Sequence, residues 1–137
     1  VVLRAVDRGN QSLEFHTDAD SLKCQSLAGN SKAQILIWQE TNAVQLRLSV
    51  EVLLRQDEKA AKLWQKVPSS NQIAYGKQPP TGEVIERPFD YKTLSSEEKF
   101  VVVECRIIKI DYLSLKEDHF RAQFEKHSGW SGKWVSP

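Results

Sequence analysis

Methionine is absent from the sequence, and cysteine and histidine are nearly so. The two cysteines, Cys24 and Cys105, form no C-x-x-C pair and have no histidine at ligand spacing. That excludes a disulfide framework and a zinc site and leaves two plain thiols. His16, His119 and His127 lack the H-x-x-x-H or carboxylate spacing of a metal site, so no metal is expected. A Walker loop, a G-x-G-x-x-G turn and a Ser-His-Asp signature are missing too, and no catalytic residue stands out. No apolar run approaches the ~20 residues that span a bilayer, and the N-terminus lacks the basic-then-apolar order of a secretory signal; the expected location is cytoplasmic. Excess charge is also lacking: 19 basic residues meet 18 acidic ones, for a net +1. Such a chain has no electrostatic reason to seek nucleic acid or an anionic membrane, and any anion must be held locally. Because there is no methionine and the chain opens directly on strand-like Val1-Val2-Leu3-Arg4, residues are expected in front of Val1.

What is present fits one compact domain over residues 1–137, folding alone or as a dimer, with 40% hydrophobic and 27% charged residues. Val1 to Val6 reads as a strand, Asp7-Arg8-Gly9-Asn10 as a turn, and Ser12 to Thr17 as the hairpin partner. Asp18-Ala19-Asp20-Ser21 offers N-caps for a short helix ending at Ala28, stopped by Gly29-Asn30. Ala33 to Trp38 is a further apolar run. From Val44 the alternation is strict, with Val44, Leu46, Leu48, Val50 and Val52 on one face and Gln45, Arg47, Ser49 and Glu51 on the other. Asp57 caps a helix carrying Ala60, Leu63, Trp64 and Val67 until Pro68 ends it.

Gly76 to Tyr91, with Pro79, Pro80 and Pro88, reads as a long loop, and Ser95-Ser96-Glu97-Glu98 has capping-box spacing. Phe100 to Ile110, Asp111 to Leu115, Phe120 to Phe124 and Trp130 to Val135 complete a series of strands. Seven or eight strands with two or three short helices predict a mostly β fold, an antiparallel barrel rather than a doubly wound sheet.

The junction from Phe15 to Lys23 is the chemical candidate. A strand ending in Thr17 and turning into a helix near Ser21 brings together a hydroxyl, free backbone N–H groups, the positive end of a helix dipole and Lys23, which suits a phosphate. The same residues equally make a capped helix with a solvated lysine.

In order and spacing these features resemble the flavin mononucleotide (FMN)-binding split barrels of the pyridoxamine 5'-phosphate oxidase family. Val1-Val2-Leu3-Arg4 is similar to the family's opening strand, and Phe15-His16-Thr17 with Ser21-Leu22-Lys23 to its aromatic strand and Ser-Arg-Lys helix start. Gln45 matches a glutamine on the long strand with no gap needed from Thr17. Asn71-Gln72-Ile73-Ala74-Tyr75 and Lys77-Gln78 look like the Ser-Gln-Ile-Gly stretch and flavin-contacting Lys-Gln, and Trp130 to Pro137 like the closing strand.

The resemblance implies an antiparallel split β-barrel, FMN as cofactor, and a homodimer with the flavin at its interface. It assigns Arg4, His16, Thr17, Ser21 and Lys23 to the flavin's phosphate and ribityl side, and Gln45 and Gln78 to its polar edges. The implied activity is that of an oxidoreductase acting on a small molecule; a flavin, deazaflavin or haem carrier on the same barrel is the alternative.

Departures from the family pattern narrow this. Leu22 replaces an arginine, removing a charge-assisted contact worth ~1.5–3 kcal/mol, and another phosphate-binding arginine would fall before Val1. The family's substrate pocket uses a Tyr, an Arg and a Ser where this chain has Leu63, Val67 and Asn71, so an anionic substrate is expected to find no cation there. The late Arg-Leu-His motif matches only loosely around His119-Phe120-Arg121, and Trp134 stands at a flavin-side arginine. The expected substrate is therefore not pyridoxine phosphate.

Overall fold

One strand organises the molecule. In the computed structural model, which describes residues 1–137, β7 (Phe100–Ser114) runs through the centre of a seven-stranded antiparallel sheet. On one edge it pairs along most of its length with β4 (Val44–Arg55). On the other it pairs first with β2 (Ser12–Asp18) and then with β8 (Phe120–Glu125). Outside these lie β1 (Leu3–Asp7) on β2, β3 (Lys32–Gln39) on β4 and β9 (Gly132–Val135) on β8. Strands β1 and β3 do not pair with each other, which leaves a slit in the wall.

The sequence divides β7 into two strands at Ile110; the structure shows one, interrupted by a bulge. Ser49 faces Lys109 and Val50 faces Ile107, so Ile108 is the extra residue. The apolar parity changes there. Val101, Val103 and Cys105 point into the barrel and Ile107 follows them, but the next inward residue is Ile110. That phase slip is what made the sequence look broken.

Two clusters fill the interior. Leu13, Phe15, Leu48, Val50, Val101, Val103 and Cys105 form the barrel core, plugged by Cys24 from α1 (Leu22–Gly29). Phe100 and Val102, at the start of β7, face outward and are covered by α2 (Glu58–Trp64), where Ala60, Trp64, Tyr75, Phe100 and Val102 pack together. Phe100 to Val103 is thus buried on both faces, which explains its unbroken apolar run. Each such side chain contributes about 1.5–3 kcal/mol.

The helices begin where their caps predict. Ser21 Oγ accepts the Cys24 N–H, and the Asp57 carboxylate accepts those of Lys59 and Ala60 at 3.1 and 3.3 Å. α2 ends at Trp64, before Pro68, and a single turn not foreseen in the sequence, α3 (Ser69–Gln72), follows that proline. The long loop is stemmed by β5 (Lys77–Gln78) on β6 (Lys92–Thr93). Glu97–Lys99 makes a 3₁₀ turn without the side-chain cap its sequence suggests. Trp130 lies outside the closing strand, in a turn with φ of 65°. Both cysteines are free and buried, and burial pushes the Cys105 thiol up to about 11. No helix is long and apolar enough to cross a membrane.

Beneath α2 lies an ion-pair network. Glu14 and Glu104 stand opposite each other on β2 and β7. Lys59 bridges them at 2.8 and 3.8 Å, and Arg55 holds Glu104 at 2.9 Å. Burial pushes both carboxyls up, but hydrogen bonds from Lys59 and His16 to Glu14, and from Arg55 and Arg106 to Glu104, outweigh it and hold each below its ordinary 4.5. A depressed folded-state pKa stabilises the fold above the unfolded value, and that share is lost as pH falls through and below about 4.5. Lys59→Ala is expected to cost about 1 kcal/mol at pH 7 and to lose less than the wild type on going to pH 4, because acid then relieves the two facing carboxylates. Urea midpoints at the two pH values check this; a parallel loss in both proteins would mean that Lys59 does not couple to the pair.

Candidate functional site

The free edge of β1 is flanked by two clefts. The first, about 580 Å³, occupies the slit between α1 and β3 and is walled mainly by apolar groups, among them Val1, Phe15, Ile35, Val52 and Cys105. Lys23, in the first turn of α1, lies on its rim. The second, about 150 Å³, lies between β1–β2 and the α2–α3 turn. Arg4, His16, Lys66, Asn71 and Tyr75 border it, with Leu63 and Val67 as its apolar side.

The seven residues assigned to the cofactor do not form one cluster. Lys23 is at the first cleft; Arg4 and His16 are at the second. Thr17 and Ser21 are buried, their hydroxyls 3.3 Å apart and bonded to each other, so they shape the strand-to-helix junction from within. What α1 presents outward is the Lys23 side chain and the N–H groups of Leu22 and Lys23, which have no acceptor in the chain. Gln78 is exposed on β5.

Gln45 is paired with Leu113 near the far end of β7, whereas Thr17 pairs with Val101 at its start. The separation is roughly 40 Å of strand at ~3.3 Å per residue.

The junction is tied to the long loop by Asp18. Its buried carboxylate accepts the N–H groups of Gly76 at 2.6 Å and Asp20 at 2.8 Å, and Asp20 in turn holds Lys99. The loop then passes over α1, where Gly82 packs against Leu22 closely enough that a Cβ would lie 3.3 Å from the leucine side chain. Leu22 thus serves as a loop contact.

Solved structures share this architecture. A pyridoxamine 5'-phosphate oxidase-related, FMN-binding protein from Nostoc punctiforme PCC 73102 superimposes with a TM-score of 0.79 at 20% identity, covering 99% of this chain and 78% of that one. PhzG from Burkholderia lata 383, crystallised with tetrahydrophenazine-1-carboxylic acid, gives 0.77 at 16% identity over 98% and 72%. The chain has their split-barrel fold. No protein-family model and no curated protein matches the sequence.

On this split barrel the second cleft corrects one expectation. Leu63, Val67 and Asn71 do come together, as the resemblance implies, but the site is not without cations: Arg4 reaches it from β1 and Lys66 from the turn after α2. Lys66 lies one residue before the position read for a cation, and only the three-dimensional turn before Pro68 shows that it borders the cleft.

Arg121, in contrast, is not free. Its guanidinium grips Asp111 through two hydrogen bonds of 2.8 and 2.7 Å, and those bonds, with one from Gln123, hold the Asp111 carboxyl below its usual range. Trp134 is 76% exposed and packs edge-on to Phe120, which stacks on Tyr112.

Proposed function

We propose that this protein binds FMN along the free edge of β1 and is an oxidoreductase whose substrate, other than pyridoxine phosphate, enters the cleft of Arg4, His16 and Lys66. The observation that carries the reading is the pair of clefts flanking one strand edge, with a cation and two unpaired N–H groups at the first and two cations at the second. The chemistry of the donors suits the cofactor. Lys23 with the Leu22 and Lys23 N–H groups would hold a phosphate, and the apolar wall would shelter the rest. When bound, the flavin supplies redox chemistry; the chain supplies the phosphate anchor, a dry wall and the substrate cleft. The FMN-binding neighbour from Nostoc supports this choice of ligand.

A homodimer belongs to the same proposal. In this reading the Gln45 that meets the flavin comes from a second copy, since it pairs at the end of β7 opposite to Thr17. Exposed apolar residues that a second copy could cover support it: Val1, Val2 and Leu3 on the β1 side, and Leu36 and Trp38 on β3. One observation favours a flavin carrier without turnover instead: Leu22 in place of a cation weakens the phosphate cradle.

The test is a visible spectrum of the purified protein, with mass spectrometry of any molecule that heat releases, followed by FMN titration. Lys23→Ala is expected to weaken FMN ten- to a hundredfold, the worth of one charge-assisted bond. Unchanged affinity would remove Lys23 from the site, and a colourless protein that ignores added FMN would overturn the flavin reading.

A further inference from the structure

We propose that His16 is the proton-exchanging residue of the second cleft, presenting a bare Nδ1 to an anionic ligand, with Glu14 and Lys59 as its positioning residues. The inference rests on the proposed function in taking this cleft as the substrate's, and adds to it the residue that handles the proton.

Three observations assign the tautomer. His16 Nε2 lies 3.2 Å from Glu14 Oε1. Glu14 is itself bound by Lys59 at 2.8 Å and keeps its carboxyl below the ordinary range, after its hydrogen bonds outweigh the cost of burial, so at neutral pH it is an acceptor only. The nitrogen facing it therefore carries the hydrogen, and in the neutral ring Nδ1 is left with its lone pair.

Accessibility follows from the same accounting. Nδ1 makes no hydrogen bond within the chain, yet no buried side-chain nitrogen or oxygen lacks a partner. The His16 side chain is only 10% exposed, so Nδ1 opens through that small window, and the space His16 borders is the cleft. The ring packs against Phe100, with centroids 4.8 Å apart and planes at 68°.

The surroundings specify the ligand. Arg4 from β1 and Lys66 from the turn after α2 supply positive charge, and Tyr75, whose hydroxyl burial keeps protonated, supplies a donor. The nearby acids are engaged, Glu14 with Lys59 and Asp18 with Gly76. At about 150 Å³ the cleft admits one small anionic group, a carboxylate or a phosphate, and the part of the ligand next to it. An O–H or N–H of that ligand gives its proton to Nδ1. The bond to hydrogen breaks with its electron pair left on oxygen or nitrogen, an Nδ1–H bond forms, and water later takes the proton back. Glu14 fixes the tautomer and orientation, as a carboxylate behind an imidazole does in other proton-transferring sites.

The experiment is long-range ¹H–¹⁵N spectroscopy of the imidazoles in the full-length chain, with the His16 signals assigned by their loss in His16→Gln. Inorganic phosphate and benzoate serve as probes, in samples whose FMN binding is measured in parallel. The expected result is the Nε2–H tautomer for His16, with an Nδ1 resonance that moves saturably with one or both anions. That response should vanish in Lys66→Glu, and Glu14→Gln should mix the tautomers. Response to phosphate alone assigns a phosphate-bearing ligand, and response to benzoate alone a carboxylate. An Nδ1–H tautomer, or an Nδ1 silent to both anions in protein that binds FMN, overturns the inference while the functional reading stands. An Nδ1 that responds in protein that never binds FMN supports the cleft and sinks the flavin instead.

Discussion

Phe100→Ala is expected to destabilise the protein by about 3–5 kcal/mol. Phe100 is 1% exposed and stands where three structural debts meet. Its ring contacts Trp64 of α2 at 5.4 Å, Tyr75 after α3 at 5.0 Å and His16 of β2 at 4.8 Å between centroids. Truncation removes the hydrophobic transfer free energy and leaves a void bounded by rings that cannot collapse into it, since Trp64 and Tyr75 are fixed by each other. Phe100→Leu, which keeps most of the volume, should cost less than half as much. Urea unfolding followed by tryptophan fluorescence reads both, with the midpoint shifted and the slope retained. Equal losses for Ala and Leu would mean that ring geometry rather than volume holds α2 to the sheet. A loss below 1 kcal/mol would mean that α2 adds little to the barrel's stability.

What the sequence made legible was local and periodic. The alternation from Val44 and the caps at Ser21 and Asp57 report on neighbours a few residues away, and each is found where its pattern places it. The Ile108 bulge escaped because one inserted residue in a long strand has the same signature as a strand end. Thr17 and Ser21 were legible as residues of the junction but not as buried ones, because which face of β2 turns inward depends on β7. The second cleft was the least accessible to reading. Arg4, His16 and Lys66 come from three separate elements, and no spacing rule links positions 62 residues apart at its extremes. Glu14 likewise gains its role only across strands, through Lys59 and His16. The barrel was therefore readable from pattern, while the chemistry of its clefts depended on long-range packing.

Asp18 gives that point a measurable form. Asp18 is 6% exposed, and its carboxylate joins β2 to Gly76, across 58 positions of sequence, by a hydrogen bond of 2.6 Å. Asp18→Ala is expected to cost about 2–3 kcal/mol, since a charge-assisted bond is lost and a buried N–H is left without an acceptor. Asp18→Asn retains an oxygen for Gly76 and should cost about half as much. The effect should be uneven over the chain. The loop from Gly76 onward keeps its β5–β6 stem and its Lys99–Asp20 bridge but loses its anchor at the junction. Amide exchange at Gly76 should therefore quicken in Asp18→Ala, more than in the barrel strands, as expected for opening of one local unit. Because Gly82 rests on Leu22 beside Lys23, loosening the loop also disturbs the first cleft. FMN affinity should fall with Asp18→Ala even though Asp18 is not placed against the flavin. Equal destabilisation by Asn and Ala would assign the anchor to charge rather than to the hydrogen bond. Unchanged exchange at Gly76 in Asp18→Ala would show that the stem alone holds the loop, and the first cleft would then be independent of it.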